Sequence, residues 1–188
     1  MRKIEFNDRY GQIDATVVGK KTQFHNVEQR LIRQFESYPK SRVKAIGLPI
    51  DDSCDTITVH LNDGASFSYK PKYKIGEVVE IEGTNGACRI KITGINIQRL
   101  SNPSLEEMLN EGFSIMRLNG LRHYCYPDRE KECLVYFRSY HQCWLSFLYR
   151  IMNTDIVVSN PYSVVYQFEL LPSVVSTDNS QQTTVDRP

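Results

Sequence analysis

The sequence has no apolar run approaching the ~20 residues that a membrane-spanning helix needs. Its first residues, Met1-Arg2-Lys3, lead into Ile-Glu-Phe-Asn-Asp, which is not the apolar core of an export leader. It has almost no net charge. Lys plus Arg number 23 and Asp plus Glu 22, a net +1. No global field draws the chain to a polyanion, so any nucleic-acid affinity must come from a local patch. Cysteines are few and odd in number, five without framework spacing, which excludes a disulfide scaffold. They are expected to be reduced thiols in a cytoplasmic protein. No internal repeat is present. What remains is ordinary globular usage over 188 residues, enough for one domain with its own core. We expect that domain to span 1–172. Beyond Pro172 the apolar periodicity stops, and 173–188 reads as a disordered tail.

The pattern alternates short strands with few helices. Ile4-Glu5-Phe6 reads as a strand. A helix capped by Asn7 or Asp8 should follow, with Tyr10, Ile13, Val17 and Val18 on one face and Gly19 as its left-handed stop. Leu31, Ile32 and Phe35 suit a second, weaker helix. Strands are expected over 42–48, 55–61 and 65–69, the last two joined at Asn62-Asp63-Gly64. A loop, Lys70–Gly76, enters a strand over 77–81, and Thr84-Asn85-Gly86 reads as a turn.

Residues 89–99 form the clearest strand, and it changes phase. Ile90 and Ile92 share one parity, Ile95 and Ile97 the other, with Gly94 at the switch. A β-bulge there keeps all four inside. Asn102-Pro103 should open a helix with Leu105, Met108 and Leu109 inward, ended by Gly112. Residues 114–139 are hard to read apart from a strand over 133–137. Tyr140, Trp144, Phe147, Leu148 and Ile151 form a helical stripe. After a break at Asn160-Pro161, the last strand, 162–170, should turn Val164, Tyr166, Phe168 and Leu170 to one side. The class is α+β: a small mixed β-barrel with two to four flanking helices.

Four constellations carry chemistry. Gly19-Lys20-Lys21-Thr22 is a basic turn that can hold an anion, or simply a solvated lysine pair favoured at a helix C-terminus. Glu107 and Glu111 share a helix face with Glu106 beside them. They are either an exposed acidic face or, if one is buried against a lysine, an acid or base. His123, Cys125, Cys133, His141 and Cys143 have zinc-ligand chemistry without the spacing of a knuckle, so no metal or other cofactor is predicted. Lys70, Lys72, Tyr73 and Lys74 interleave cations with an aromatic ring, as a phosphate-gripping, base-stacking loop would.

Read in order, these segments resemble a known family. Asn7-Asp8-Arg9-Tyr10 followed by Gly19-Lys20-Lys21-Thr22-Gln23 is similar to the start of phage and bacterial ASCH-domain proteins, of the PUA-like superfamily. Pro71-Lys72-Tyr73-Lys74-Ile75-Gly76-Glu77 resembles their second landmark. The strand 89–99 with Leu105-Glu106-Glu107 and Glu111-Gly112-Phe113 resembles the third. Trp144, Asn160-Pro161-Tyr162 and Val165–Glu169 resemble the closing helix and strand. Two stretches, 28–69 and 114–139, have no counterpart and read as inserts.

The resemblance implies a PUA-like barrel with a cleft beside the basic turn, and a ligand of RNA or modified-nucleoside type. It also implies, for one branch, hydrolysis of acetylated cytidine by a lysine, a threonine and a glutamate. Lys21 and Glu111 match two of these. Phe24 stands where the threonine should be, and His25-Asn26-Val27 replace an Arg-Arg pair. A phenyl ring cannot be a nucleophile.

The expected function is therefore a binding module for RNA or a nucleotide-like small molecule. Lys20, Lys21, Thr22, Phe24, Lys72, Tyr73 and Glu111 would form its site. One alternative is an amidohydrolase in which Lys21, Thr22 and Glu111 are catalytic. Another is a phage-type interaction protein whose inserts are its working surface.

Overall fold

The computed structural model describes residues 1–6, 8–48, 55–84 and 88–172. The expected cap at Asn7, most of the turn at Thr84-Asn85-Gly86, Cys54 and the expected tail 173–188 fall wholly or partly outside them. The described chain is mixed α and β. It has eleven strands in three sheets and five α-helices. That is one helix more than the pattern implied. Among the described residues no helix is long and apolar enough to cross a membrane.

The largest sheet has the order β1 (Arg2–Ile4), β6 (Val78–Ile81), β7 (Arg89–Arg99), β11 (Tyr162–Leu171), β2 (Gln23–Asn26). Only β1 and β6 run parallel. The first strand thus begins and ends two residues earlier than Ile4–Phe6. The bulge forms where the isoleucines change phase. Gly94 pairs with Gln167 and Ile92 with Phe168, leaving Thr93 as the extra residue. Ile90, Ile92 and Ile97 are buried, and Ile95 packs against the same core. At the far end of β11, Leu170 is exposed, contrary to its alternation.

A second sheet, β3 (Val43–Gly47), β4 (Ile57–Leu61) and β5 (Ser66–Tyr69), lies against the first. Its β4–β5 turn keeps only Gly64 at positive φ (88°), in a three-residue loop. Ile57, Val59 and Leu61 share one core with Ile90, Ile92 and Val164. α2 (Gln29–Glu36) adds Leu31 and Phe35. The stretch 28–69, an insert by motif matching, therefore supplies six of the twenty buried residues of this core. Strand pairing closes neither sheet into a ring among the described residues.

The third sheet fills the stretch that was hard to read. Its strands are β8 (Ser114–Leu118), β9 (Leu121–Asp128) and β10 (Cys133–Phe137), all antiparallel. One face packs on α4 (Tyr140–Ile151), whose Cys143, Trp144, Phe147 and Leu148 are buried. α5 (Thr154–Ser159) was not foreseen. Buried Asp128 anchors this region between Arg9 and Arg150.

Two helix starts differ from the sequence reading. A 3-10 turn (Asp8–Tyr10) precedes α1 (Gln12–Val17), which begins after Gly11 at φ 65°. The break rotates the expected face, so Tyr10 is buried whereas Val17 and Val18 are exposed. α3 (Leu105–Asn110) is capped by Ser104, not Asn102. Its side chain accepts from the Glu107 N–H and Glu107 answers on the Ser104 N–H. This reciprocal Ser-x-x-Glu box satisfies two orphan donors, which Asn102 is too far upstream to reach.

Candidate functional site

Two helix ends build the site. α1 stops as its sequence dictates: Gly19 takes φ 71°, its N–H bonds to the Thr16 carbonyl at 2.9 Å, and Lys20 N–H bonds to Ala15 at 2.8 Å. α3 stops the same way. Gly112 takes φ 95°, with Gly112 N–H on Leu109 and Phe113 N–H on Met108. The ends abut. A Cβ on Gly112 would sit 2.8 Å from the Ala15 Cβ and 3.4 Å from the Lys21 Cβ. Thr22 N–H donates to the Asn110 carbonyl at 2.7 Å, and Lys21 bridges to Glu111 as an antiparallel pair. Two glycine stops thereby fix Lys21 opposite Glu111.

The side chains meet out of water. Lys21 is 0% and Glu111 3% exposed at the side chain, with Nζ 2.5 Å from Oε2. Nζ also donates to the Glu111 carbonyl at 3.3 Å and lies 5.1 Å from the Phe6 ring centroid. The other carboxylate oxygen, Oε1, is 2.6 Å from His25 Nδ1. His25 Nε2 is 2.9 Å from the Gln98 side-chain amide nitrogen. That amide donates, so the network fits an imidazole with its proton on Nδ1, donating to Glu111. Burial pushes the Glu111 carboxyl up, but Lys21 first and His25 second pull it further down. The net is below the ordinary carboxylate range.

Strand parity decides the rest. Along β2, alternate residues face opposite ways. Lys21 and His25 turn to Glu111, and Gln23 between them donates to the Glu107 carbonyl at 2.9 Å. Thr22 shares parity with Phe24, on the other side. Phe24 stacks on Tyr166 at 5.1 Å and meets Phe6, Tyr73 and Phe168 at 5.7–6.1 Å. Thr22 gives its carbonyl to Phe168 N–H.

A cavity of about 580 Å³ opens beside this network. Glu111, His25, Phe24, Tyr73, Lys72 and Trp144 are among its walls. Trp144 is held by its Nε1–H on the Leu100 carbonyl at 2.8 Å, and its ring centroid is 5.1 Å from that of His25. Tyr73 is 2% exposed and Lys72 Nζ lies 5.2 Å from its ring. Of the residues singled out in the sequence, Phe24, Lys72, Tyr73 and Glu111 line the cavity. Lys21 stands behind Glu111, while Lys20 is exposed and, like Thr22, contributes no wall.

His25 and Trp144 are the site residues that motif reading missed. Parity from Lys21 could have found His25. Trp144 is 123 positions from Lys21, and no local pattern connects them.

The histidines and cysteines do not converge. His123 Nδ1 lies on the Leu121 carbonyl, and Cys143 is buried in the core under α4. Burial, then the neighbouring Cys125, pushes the Cys143 thiol up to about 12, so it is a poor metal ligand at neutral pH. Among the described residues no three such side chains form a metal-binding group. No protein-family model, curated protein or solved structure matches the chain.

Proposed function

We propose that the chain is a binding module of the ASCH type that takes a nucleotide, a modified nucleoside or a short single-stranded RNA segment in the cavity beside Glu111. The observation that carries this reading is the aromatic-walled cavity with the Lys21–Glu111–His25 network at its side. Its volume falls in the range of small-ligand sites, and its walls mix apolar side chains with polar groups, among them Gln12, His25, Asn26, Lys72 and Glu111. Rings at Phe24, Tyr73 and Trp144 border the cavity while packed in the core, and Glu111 stands beside them with its carboxylate held by Lys21 and His25. We further propose that the two sheets sharing one core, bent at Thr93–Gly94, correspond to the PUA-like barrel.

Hydrolysis finds less support. Lys21 is already committed to Glu111, and Thr22 lies on the opposite face of the strand. Thermal-shift titrations with nucleosides, nucleotides and single-stranded RNA at low salt test the binding reading. At least one class should raise the melting temperature, and Met152→Trp, which fills the cavity from its half-buried rim, should abolish the rise. No shift with any class would refute it. Released acetate from acetylated cytidine, lost in Lys21→Ala, would establish the hydrolytic reading instead.

A further inference from the structure

The outermost strands of the five-stranded sheet are β1 and β2, and the cavity has walls from both sides. Ile4 and Phe6 stand on one side, Phe24, His25 and Asn26 on the other. The loop 70–76 is tied to both. On the β1 side the Arg2 guanidinium donates to the Lys72 carbonyl, and the Tyr73 hydroxyl donates to the Lys3 carbonyl at 3.3 Å. On the other side the Lys72 and Tyr73 N–H groups donate to the Tyr166 hydroxyl at 2.8 and 3.3 Å. Lys72 and Tyr73, both walls of the cavity, are thus hung between β1 and β11.

The second anchorage converges on a half-buried carboxylate outside the cavity wall. Glu28 Oε1 accepts from the Tyr166 hydroxyl at 2.7 Å, from Asn26 Nδ2 at 3.0 Å and from Lys72 N–H at 3.4 Å. Its Oε2 accepts from the Tyr69 hydroxyl. Burial first, and then Glu28, push both phenols far above their ordinary range, so both stay protonated. All these partners donate, which suits a carboxylate because it only accepts.

Local rules do not account for Glu28. It is the N-cap of α2, where a short Asp, Asn, Ser or Thr would accept from the first free N–H groups. Its side chain makes no such bond and turns to the two tyrosines instead. Departures of this kind from local sequence rules are expected at functional sites.

We propose that Glu28 is a positioning residue of the cavity: it meets no ligand itself, and it holds Asn26, Lys72 and Tyr73 in place as walls, directly and through the Tyr166 hydroxyl. For what fills the cavity this rests on the binding reading above. The anchorage itself does not depend on that reading.

Glu28→Gln is the perturbation. It keeps the size of the side chain, yet its amide turns an NH2 group toward at least one of these donors. Amide exchange of Lys72 and Tyr73, read by NMR on the full chain without ligand, should accelerate about ten- to hundredfold, the scale of a lost bond to a charged acceptor. Ile90 and Val164, both buried in the core, should keep their rates. Quenching of Trp144, the single tryptophan, is then titrated with cytidine, cytidine monophosphate and hexauridylate. Whichever probe binds the wild type should bind Glu28→Gln roughly tenfold or more weakly. Glu36→Gln, at an exposed position on the same helix, should change neither readout. In a Tyr166→Phe background Glu28→Gln should add little to Tyr73 exchange, since the carboxylate reaches that amide through the hydroxyl. Unchanged exchange at Lys72 and Tyr73, equal acceleration in the core, or additive effects overturn the proposal. So does undiminished binding of a probe by Glu28→Gln. No quenching of the wild type by any probe sinks the binding reading instead, and exchange alone then decides the role of Glu28.

Discussion

Replacing Lys21 with Met keeps the length and apolar stem of the side chain but deletes the ammonium that faces Glu111. The carboxylate then stays 3% exposed, with His25 Nδ1–H as its remaining side-chain donor. Breaking a buried ion pair by removing one partner typically costs about 3–5 kcal/mol, because the charge left behind is neither solvated nor compensated. For a chain of this size each kcal/mol moves the melting temperature by about 2–4 °C, so a fall of roughly 6–20 °C is expected. Urea denaturation should give a lower midpoint with an unchanged slope.

The pH dependence is the sharper test. In the wild type the Glu111 carboxyl lies below its ordinary range, so its contribution is present above the unfolded value and is lost as pH falls through the depressed folded value. Without Lys21 the folded value rises, because burial is then opposed by His25 alone. The Lys21→Met penalty is then full at neutral pH and shrinks as acid protonates Glu111. The two stability curves should therefore converge on acidification. Lys21→Met/Glu111→Leu should also cost less than the sum of its parts, since it removes both charges together. A penalty below about 1 kcal/mol, far short of a broken buried pair, would refute the reasoning. So would a difference that stays constant between about pH 8 and pH 4, across the carboxylate titration range.

Gly112→Ala should destabilise by about 1–3 kcal/mol in denaturant unfolding, since it forces φ 95° on an L side chain and drives a Cβ to within 2.8 Å of Ala15; Gly19→Ala, at φ 71° with nothing near its Cβ position, should cost less. Asp128→Asn should flatten the acid limb of the melting curve. The Asp128 carboxyl is pushed up by burial and pulled further down by Arg9, then by the Lys131 backbone N–H and Arg150, so its contribution is present above the ordinary carboxylate range and is lost as pH falls through the depressed folded value. An unaltered acid limb would show that this ion cluster does not carry the dependence.

Local chemistry settled much of this protein at the level of sequence. Gly19 and Gly112 stop their helices because only glycine takes positive φ without cost, and the phase change in residues 89–99 required a bulge because strand side chains alternate strictly. The stripe from Tyr140 to Ile151 needed only helical periodicity, and Lys21 and Glu111 were legible as a lysine and a glutamate beside such stops. Tertiary structure decided what those stops were for. It set the two helix ends against each other, put Lys21 behind Glu111 instead of in the cavity, and turned Thr22 away with Phe24. It also recruited His25, which only its parity with Lys21 marked, and Trp144, which no local pattern links to Glu111. The strands over 114–128 escaped reading for a physical reason: polar and apolar residues share each face, with Arg117 and Arg122 beside Ile115 and Tyr124 and His123 beside Met116, so the clean alternation that betrays a strand is missing. Periodicity reports burial against one partner; it cannot tell which distant surfaces will supply that partner, because contacts between remote segments are set by the packing of the whole chain.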